Sequence, residues 1–343
     1  MGAILIPSLS ESVDFDKYDK IVLFFSGGKD SVACFLSLLE LGVKTEKVEL
    51  MHHLIDGRGG ERFMDYACTE GYCDAFADAF GVDIHYSWRD GGFLGEATRN
   101  NSFTGDKIVP DENGNLVRIE GSRNPKWKNT RMRFPQQSAS LSTRYCSAYL
   151  KIDIGDIAVR RRFFYDGGDG SAERKILVIS GERAEESSHR ATYSKFERYR
   201  ADNRDGKRAV RYIDHLRIVH QDKEQEIWDI MQRHSVRPHP AYRAGMSRTS
   251  CQFCIFSSAD QWATMREYDP EGFAKILEYE KKFNLAINRS GSFIDKIADN
   301  GNIYDVEDGI FDIINNPIYT EDIIVSQWEL PKGAYKGSEG GAP

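Results

Sequence analysis

The 343-residue sequence has no apolar run long enough to span a membrane, so we expect no membrane contact. Its first residues, Met1 to Pro7, lack the basic segment and long apolar core of a secretory leader, which favours a cytoplasmic protein. Two common nucleotide-binding patterns are also missing, Gly-x-x-x-x-Gly-Lys-Ser/Thr and Gly-x-Gly-x-x-Gly. There is no internal repeat, and a composition of 40% hydrophobic and 29% charged residues is that of an ordinary soluble enzyme.

A short glycine-containing turn carries the clearest functional signal. The apolar run 21–25 is typical of a buried strand, and the apolar stretch 32–39 has the length of a helix. Between them lie Ser26, Gly27, Gly28, Lys29, Asp30 and Ser31. The N–H groups and the positive dipole end at the start of a helix favour phosphate. The turn therefore predicts a phosphate site, with a ligand-free strand-to-helix turn as the alternative.

A second candidate site follows the predicted strand 175–179. Its pattern is Gly-x-Arg-x-x-Glu-Ser-x-x-Arg, and its members are Gly181, Arg183, Glu186, Ser187 and Arg190. The two guanidinium groups suit phosphate or sulfate oxygens, while Glu186 can orient an arginine and Ser187 can cap a helix. A capped, salt-bridged helix start is the alternative. Because strand ends of one parallel sheet meet at one crevice, we expect the two motifs to lie together.

The order of elements predicts an α/β fold with a mainly parallel sheet, helices on both faces and right-handed crossovers. The predicted strands are 21–26, 47–55, 82–88, 175–179 and 216–219, and the predicted helices are 30–41, 61–80, 147–164 and 223–234. Residues 89–143 break this alternation and predict a long insertion at the ligand-binding edge. We expect an α/β domain over 1–258 and a helical, irregular, acidic extension over 259–343, with a mobile tail beyond Leu330.

Charge is unevenly distributed along the chain. The net charge is −7, and residues 290–343 alone hold ten acids against three lysines. Two stretches are basic: 118–133 has six basic residues against one acid, and 190–211 has eight against three. Aromatic residues such as Trp127 and Tyr199 are interleaved with these charges, a pattern that can follow a phosphate backbone. Nucleic acid is therefore one expected partner, and solvated loops or an anion-lined rim are the alternative.

These motifs resemble those of the phosphoadenosine phosphosulfate (PAPS) reductase family, a branch of the PP-loop or adenine nucleotide α-hydrolase superfamily. The similarity rests on residues 26–31 and 181–190 and on two further segments, 144–151 and 239–254. It implies a Rossmann-like fold that binds ATP, PAPS or adenylyl sulfate (APS) with Mg²⁺. In this superfamily most members act at the α-phosphate and release pyrophosphate.

The resemblance also implies roles for individual residues. The glycine turn would hold the nucleotide phosphates, Asp56 would lie near the adenosine, and the second motif would lie near the anionic end. The implied nucleotide contacts are Ser26, Gly27, Gly28, Lys29, Asp30, Ser31, Asp56, Gly181, Arg183, Glu186, Ser187 and Arg190. The expected catalytic residues are Lys29, Asp30 and Arg183.

The six cysteines divide into two groups. Cys34, Cys68 and Cys73 lie in or near predicted helices and are expected to have structural roles. Cys251 and Cys254 form a Cys-x-x-Cys pair, a spacing that turns both sulfurs toward one metal. The resemblance implies Cys146 as a third ligand and a 4Fe–4S cluster with one open iron. The alternatives are zinc completed by His239 or His220, and packing alone.

We therefore expect an enzyme that splits ATP to AMP and pyrophosphate and activates an acceptor for sulfur transfer. A nucleic acid is one candidate acceptor, and a sulfur-donor protein is an expected partner. A PAPS or APS reductase working with thioredoxin is the first alternative, but no cysteine follows Cys254 to act as its C-terminal nucleophile. That alternative would need Cys68, Cys73 or a partner thiol. A nucleotide- or nucleic-acid-binding module without turnover is the second alternative.

Overall fold

The structure is a computed structural model that describes residues 13–138, 140–164 and 174–336. Residues 1–7, for which we expect no leader, and the end of the predicted mobile tail, 337–343, lie outside the described residues. Within these described residues, eight strands form one sheet. They are β1 (Lys20–Phe24), β2 (Val48–Leu54), β3 (Asp83–Arg89), β4 (Lys107–Pro110), β5 (Leu116–Ile119), β6 (Lys175–Ile179), β7 (Phe196–Arg198) and β8 (Tyr212–Leu216).

The strand order is β5-β4-β3-β2-β1-β6-β8-β7. The five central strands, from β3 to β8, pair in parallel. The hairpin strands β4 and β5 at one edge and β7 at the other edge pair antiparallel. The prediction of a mainly parallel α/β sheet is confirmed.

Helices cover both faces of this sheet and form most of the region after it. They are α1 (Lys29–Glu40), α2 (Thr69–Phe80), α3 (Gly92–Ala97), α4 (Tyr145–Ser147), α5 (Asp153–Phe164), α6 (Ser188–Ala191), α7 (Glu224–Arg233), α8 (Pro240–Arg243), α9 (Ala259–Tyr268), α10 (Pro270–Phe283), α11 (Ile294–Ala298) and α12 (Ile310–Ile314). A π-helical turn, Ala148–Ile152, joins α4 to α5. None of the described helices has the length and apolar character needed to cross a membrane.

Side chains of the central strands alternate between two buried faces, as expected for a sheet covered on both sides. From β1, Ile21 and Leu23 pack with residues of α1, α2 and α7, whereas Val22 packs with residues of α5. Because neighbouring residues of β1 point to opposite faces of the sheet, α5 packs against one face, and α1, α2 and α7 pack against the other. The helical layers on both faces are thereby confirmed.

Chain direction across the sheet reverses at β1, which lies between β2 and β6. The chain runs from β1 outward through β2 and β3, then returns to the other side of β1 and continues outward through β6 and β8. In open α/β sheets such a switch point leaves a crevice at the carboxyl ends of the two strands. Here the glycine turn follows β1 and the second motif follows β6, so both motifs border this crevice.

Three sequence predictions need correction. Residues 89–143 contain α3, β4 and β5, so the predicted insertion extends the sheet beyond β3. The predicted helix 61–80 begins only at Thr69, because the loop before it is fixed by other contacts. The predicted strand 216–219 lies at 212–216 instead. The polar residues Asp214 and His215 interrupt the apolar pattern by which a buried strand is recognised in the sequence. Asp214 can be buried there because it accepts a hydrogen bond from the Tyr18 hydroxyl at 2.7 Å.

The C-terminal helices share one buried cluster with earlier parts of the chain. Trp262, Phe273 and Ile310 pack with Phe63 and Phe134, which precede the main C-terminal helices by more than a hundred residues. The described end of the chain is also packed, because the Gly333 N–H donates to the Tyr242 carbonyl at 2.8 Å. Residues up to 336 are therefore part of the folded body.

The position of β6 at the centre of the sheet gives a first testable prediction. Leu177 is fully buried there, whereas Leu116 in edge strand β5 is 45% exposed. Leu177→Ala should lower the free energy of unfolding by about 2–5 kcal/mol, because it removes buried methyl groups and leaves a cavity. Leu116→Ala is the matched control and should cost less than about 0.5 kcal/mol. Urea unfolding at unchanged m-value measures both, and equal losses would contradict the topology.

Candidate functional site

A cavity of about 900 Å³ opens at the carboxyl ends of the central strands. The glycine turn lines it with Ser26 and residues 28–31, and the second motif lines it with residues 180–183, 185, 186 and 190. Further lining residues come from the end of β2, from the α4–α5 region, from β7 and β8, and from residues 247–251 and 254–256. The two motifs that the sequence places at separate strand ends therefore face one space. Gly27, Asp56 and Ser187 are not among the lining residues.

Backbone geometry fixes the glycine turn before any ligand is considered. Gly27 has a φ of 74°, which L-residues rarely adopt, and a Cβ there would lie 3.1 Å from the Cys73 sulfur. Ser31 closes the turn, since its hydroxyl accepts from the Ser26 N–H at 3.2 Å and donates to the Gly28 carbonyl at 2.9 Å. The Lys29 N–H donates to the Tyr242 hydroxyl at 3.1 Å. These bonds hold the first turn of α1 open toward the cavity.

An ionic network joins the two motifs across the crevice. The Asp30 carboxylate accepts from Lys29 Nζ at 3.0 Å and from Arg183 Nε at 2.6 Å, and Arg183 also donates to Glu185 at 2.6 Å. Burial alone would raise the pKa of Asp30, but the charges of Lys29 and Arg183 outweigh it and hold that pKa below its usual value. Asp30 therefore stays ionised, and the charges of Lys29 and Arg183 are already compensated.

Close backbone contact explains the glycine at position 181. A Cβ on Gly181 would lie 3.0 Å from the Asp30 carbonyl carbon and 3.1 Å from its oxygen. That separation is too short for any side chain without displacement of the glycine turn. Gly181 therefore lets the end of β6 approach the start of α1 and sets the width of the crevice.

The remainder of the second motif forms the contacts of a capped helix start. The Glu186 carboxylate accepts from the Arg183 N–H at 2.9 Å and pairs with Arg190, and the Ser187 hydroxyl accepts from the Arg190 N–H at 3.2 Å. The Arg190 carbonyl lies 3.0 Å from His220 Nε2. Arg190 and Glu186 line the cavity, whereas Ser187 acts as the cap of α6.

Six further Lys and Arg side chains, outside residues 26–31 and 181–190, line the cavity. Arg198, Arg200 and Arg217 form ion pairs with Asp205, Asp156 and Glu197. The other three are Arg144, Lys151 and Arg248. Within the described residues no ion pair joins any of the three to an acid. Burial and the guanidinium groups of Arg190 and Arg248 lower the pKa of Arg144, and its Nε is buried without a hydrogen-bond partner. These charges are available to an anion, unlike those of Lys29 and Arg183. In the sequence, Arg144 and Lys151 could have been recognised as candidates because they lie close to Cys146, a predicted metal ligand.

Asp56, for which the resemblance implies a place near the adenosine, makes backbone contacts in the structure, and its role toward a nucleotide stays a prediction. Its Oδ2 accepts three backbone N–H bonds at 2.8–2.9 Å, from Phe63, Met64 and Asp65, while Oδ1 is buried without a partner. The carboxylate thus anchors the loop before α2, outside the cavity lining. Asp65 does line the cavity. Burial and the Asp56 charge raise the pKa of Asp65 to about 7.

All three predicted metal ligands line the cavity: Cys146, Cys251 and Cys254. Burial raises the pKa of the Cys146 and Cys251 thiols above the usual value, and the charge of Lys151 counteracts this for both. In the described residues, however, no group of three or more His, Cys, Asp or Glu side chains is arranged to hold a metal ion. The geometry therefore does not support the predicted 4Fe–4S cluster as a preformed site.

The two histidines considered for zinc are engaged elsewhere. His239 is fully buried, with Nδ1 accepting from the Ala241 N–H at 3.2 Å and Nε2 lying 3.3 Å from the Thr69 hydroxyl. Burial lowers its pKa to about 3. His220 contacts the Arg190 carbonyl, as described above. Neither histidine lines the cavity with the three cysteines.

The remaining cysteines are packed in the core, as predicted. Cys34, Cys68 and Cys73 are all 0% exposed. Burial raises the pKa of each thiol well above its usual value, which suppresses the thiolate form needed for nucleophilic attack. Cys68 and Cys73 are therefore poor candidates for the internal nucleophile of a reductase.

A hydrogen-bonded histidine on the β6–β8 side of the cavity was not predicted. His215 Nε2 lies 2.6 Å from the Ser180 hydroxyl, which also contacts Glu182. Burial lowers the pKa of His215 to about 4, so the ring is neutral near pH 7. The polar residues of β8 that obscured this strand in the sequence thus contribute to the cavity wall.

Comparison with known proteins gives limited similarity. No protein-family model matches the sequence. An uncharacterized 37.8 kDa protein in the gpa 5′ region of Escherichia phage 186 is 31% identical over 166 residues. That alignment covers 48% of this chain and 44% of the relative, so the chain spans less than half of the relative's length. It leaves the resemblance to the PAPS reductase family as a prediction.

Solved structures with partial similarity include Candida glabrata FMN adenylyltransferase. Its complex with FMN and the ATP analogue AMPCPP has a TM-score of 0.33, with 10% identity, over 67% of this chain and 54% of that chain. Its complex with ATP has a TM-score of 0.32, with 10% identity, over 71% of this chain and 54% of that chain. Similarity at this level carries no argument about function, which has to come from the cavity.

The raised pKa of Asp65 gives a pH-dependent prediction. The carboxyl titrates at 3.8 when unperturbed and at about 7 in the folded protein, so between these values the folded state binds more protons. Stability should therefore fall as pH rises across that window. Asp65→Asn should reduce this fall. Urea unfolding at pH 5 and pH 8 measures it, with exposed Asp83→Asn as control, and an unchanged pH difference in Asp65→Asn would contradict the assignment.

Proposed function

We propose that the protein is an adenine-nucleotide enzyme of the PP-loop type, which acts at the α-phosphate of ATP or a related adenylyl compound in sulfur transfer. The observation that carries this proposal is the meeting of two motifs across the switch-point crevice, where the Asp30–Arg183 ion pair joins them. The turn lies at the N-terminal end of α1, where the positive end of the helix dipole favours phosphate. The cavity volume, about 900 Å³, lies within the range of small-ligand sites, roughly 300–1,000 Å³.

The charge distribution assigns separate roles to the cations. Lys29 and Arg183 are compensated by Asp30 and Glu185, so they position the turn and stiffen the site. Arg144, Lys151 and Arg248 face the cavity with uncompensated charge and would bind the phosphate oxygens. Mg²⁺ would enter as part of the nucleotide complex.

In the proposed reaction an acceptor oxygen attacks the α-phosphorus. The new O–P bond forms as the bond between the α- and β-phosphates breaks, and pyrophosphate leaves with the electron pair. Sulfide-level sulfur from a donor then attacks the activated atom of the acceptor, and AMP leaves as the bond between that atom and the AMP oxygen breaks. Charge develops on the phosphate oxygens, so preorganised cations and N–H groups contribute more than acid–base side chains. A nucleic acid remains the proposed acceptor class.

Burial of the remaining thiols favours this reaction over sulfonucleotide reduction. Reduction with thioredoxin requires an accessible thiolate to attack sulfur. Cys68 and Cys73, the internal candidates, are fully buried. PAPS or APS reduction through Cys68 or Cys73 is therefore disfavoured.

ATP labelled at the α-phosphate tests the proposal. Wild-type protein with Mg²⁺ should release labelled AMP and unlabelled pyrophosphate, and release of ADP alone would sink the proposal. Lys151→Ala should weaken ATP binding about tenfold, because a hydrogen bond to a charged group contributes roughly 1.5–3 kcal/mol. Lys281→Ala, on the exposed surface of α10, is the matched control and should bind ATP like wild type. Isothermal titration calorimetry measures both affinities.

The 4Fe–4S cluster on Cys146, Cys251 and Cys254 stays a separate prediction, with zinc as its alternative, and no step above runs through either. Anaerobically purified protein should contain iron and acid-labile sulfide if the cluster forms, and Cys254→Ser should lose both. Cys34→Ser is the control, since Cys34 lies in the core away from the cavity. If the purified protein contains neither iron nor zinc and still releases AMP with Mg²⁺ and ATP, the cluster prediction is contradicted and the nucleotide proposal is not affected.

A further inference from the structure

An exposed basic arm projects from the region between β5 and α4. All nine residues from 122 to 130 are exposed, and we call this segment the Trp127 arm. Trp127 lies at its centre in a short 3₁₀ turn and exposes 61% of its surface. A tryptophan with that exposure is unusual, because its large apolar ring normally packs or meets a partner.

The arm has a defined conformation. Asn129 and Ser102 exchange two backbone hydrogen bonds at 3.0 and 3.2 Å, and the Arg131 N–H donates to the Arg99 carbonyl at 2.8 Å. The Asn124 side chain accepts from the Lys126 N–H at 3.1 Å and caps the 3₁₀ turn. The exposed indole is therefore presented on a fixed support, which lowers the entropy cost of binding a partner.

The two lysines of the arm carry uncompensated charge, whereas Arg123 pairs with Asp106 at 2.5 Å. Lys126 lies 5.4 Å from the Trp127 ring centroid, and Lys128 lies 5.5 Å from that of Phe103. Among the residues that the structure describes, no acid forms an ion pair with Lys126, Lys128 or Arg133. Positive charge beside an exposed aromatic ring is the combination that binds a phosphate chain and stacks a base.

The arm is joined directly to the cavity wall. Beyond Arg133, whose carbonyl accepts from the Tyr145 hydroxyl at 2.8 Å, the chain reaches Arg144, which lines the cavity. Arg144 lies beside Arg190 and Arg248. The Tyr145 hydroxyl therefore ties the segment after the arm to the neighbour of Arg144, so the arm is anchored beside the cavity wall. From Trp127 to Arg133 the chain spans at most about 20 Å, a few nucleotides of single strand.

We propose that the Trp127 arm binds single-stranded nucleic acid and guides it to the cavity as the acceptor. This inference rests on the proposed function, because it names the substrate class of the same site. A single strand fits better than a duplex, since only unpaired bases present a face to the indole. It also fits better than an acidic protein segment, which would match the lysines but would leave the indole without a stacking partner.

Fluorescence anisotropy with a labelled 20-nucleotide single-stranded DNA and its RNA counterpart tests this surface in the full chain. Trp127→Ala should weaken binding at least about fivefold, because stacking on an aromatic ring contributes strongly for each base. The double change Lys126→Ala with Lys128→Ala should lower the slope of log K against log salt by about 1.4, since each phosphate contact on a single strand contributes about 0.7.

Two control variants test whether oligonucleotide binding depends on the Trp127 arm or on the general charge of the protein. Lys281→Ala with Lys282→Ala removes the same charge from exposed residues of α10, and Ile318→Ala removes an apolar side chain that is 69% exposed. Both controls should bind the oligonucleotide like wild type. Equal losses in the controls, absence of saturable binding, or equal competition by poly-glutamate would overturn the proposal, the last in favour of an acidic protein partner.

The nucleotide and nucleic-acid proposals fail in different measurements. Variants of the Trp127 arm should keep the ATP affinity of wild type, because the arm residues do not line the cavity. Lys29→Ala should lose ATP affinity and keep oligonucleotide binding. Protein that binds ATP but no oligonucleotide would contradict the arm alone, and protein that binds oligonucleotide but never forms AMP would contradict the reaction alone.

Discussion

The ion pair between Asp30 and Arg183 is the contact on which the site depends. It joins the start of α1 to the segment after β6, and Arg183 is 4% exposed at this point. Removing Asp30 would leave the buried Lys29 ammonium without its carboxylate partner, which costs about 3–5 kcal/mol. The pair thus fixes the distance between two strand ends, and Gly181 makes that short distance sterically possible.

A consequence of this pairing is that the most conspicuous cations of the motifs are not those most available to a ligand. Arg183 is shared between Asp30 and Glu185, and Lys29 is held by Asp30. The charge offered to an anion comes instead from Arg144, Lys151 and Arg248, which belong to other parts of the chain. The motif residues therefore hold the two sides of the cavity together, and residues outside the two motifs carry the positive charge that has no acidic partner.

The sequence predicts β1, the glycine turn and α1 well because these elements are specified by residues that are neighbours in the chain. Apolar runs and the glycine turn specify β1 and α1 through short-range patterns, and both lie within a few residues of their predicted bounds. What could not be predicted depends on contacts between distant residues. The strand β8 carries Asp214 and His215. These polar side chains are tolerated in the sheet because Tyr18 and Arg204 hydrogen-bond to Asp214, and Ser180 hydrogen-bonds to His215. Likewise, the loop before α2 is held by Asp56, a role that no local pattern reveals.

Lys151 connects the nucleotide end of the cavity to its cysteine wall. Its charge acts on Cys146, Cys251 and Asp65, and its side chain lines the same cavity as the glycine turn. Buried thiols form thiolates only when a positive charge compensates them. A phosphate drawn to Lys151 would reduce that compensation, and the pKa values of the neighbouring thiols would rise. Nucleotide binding at Lys151 and ionisation of the neighbouring thiols should therefore oppose each other.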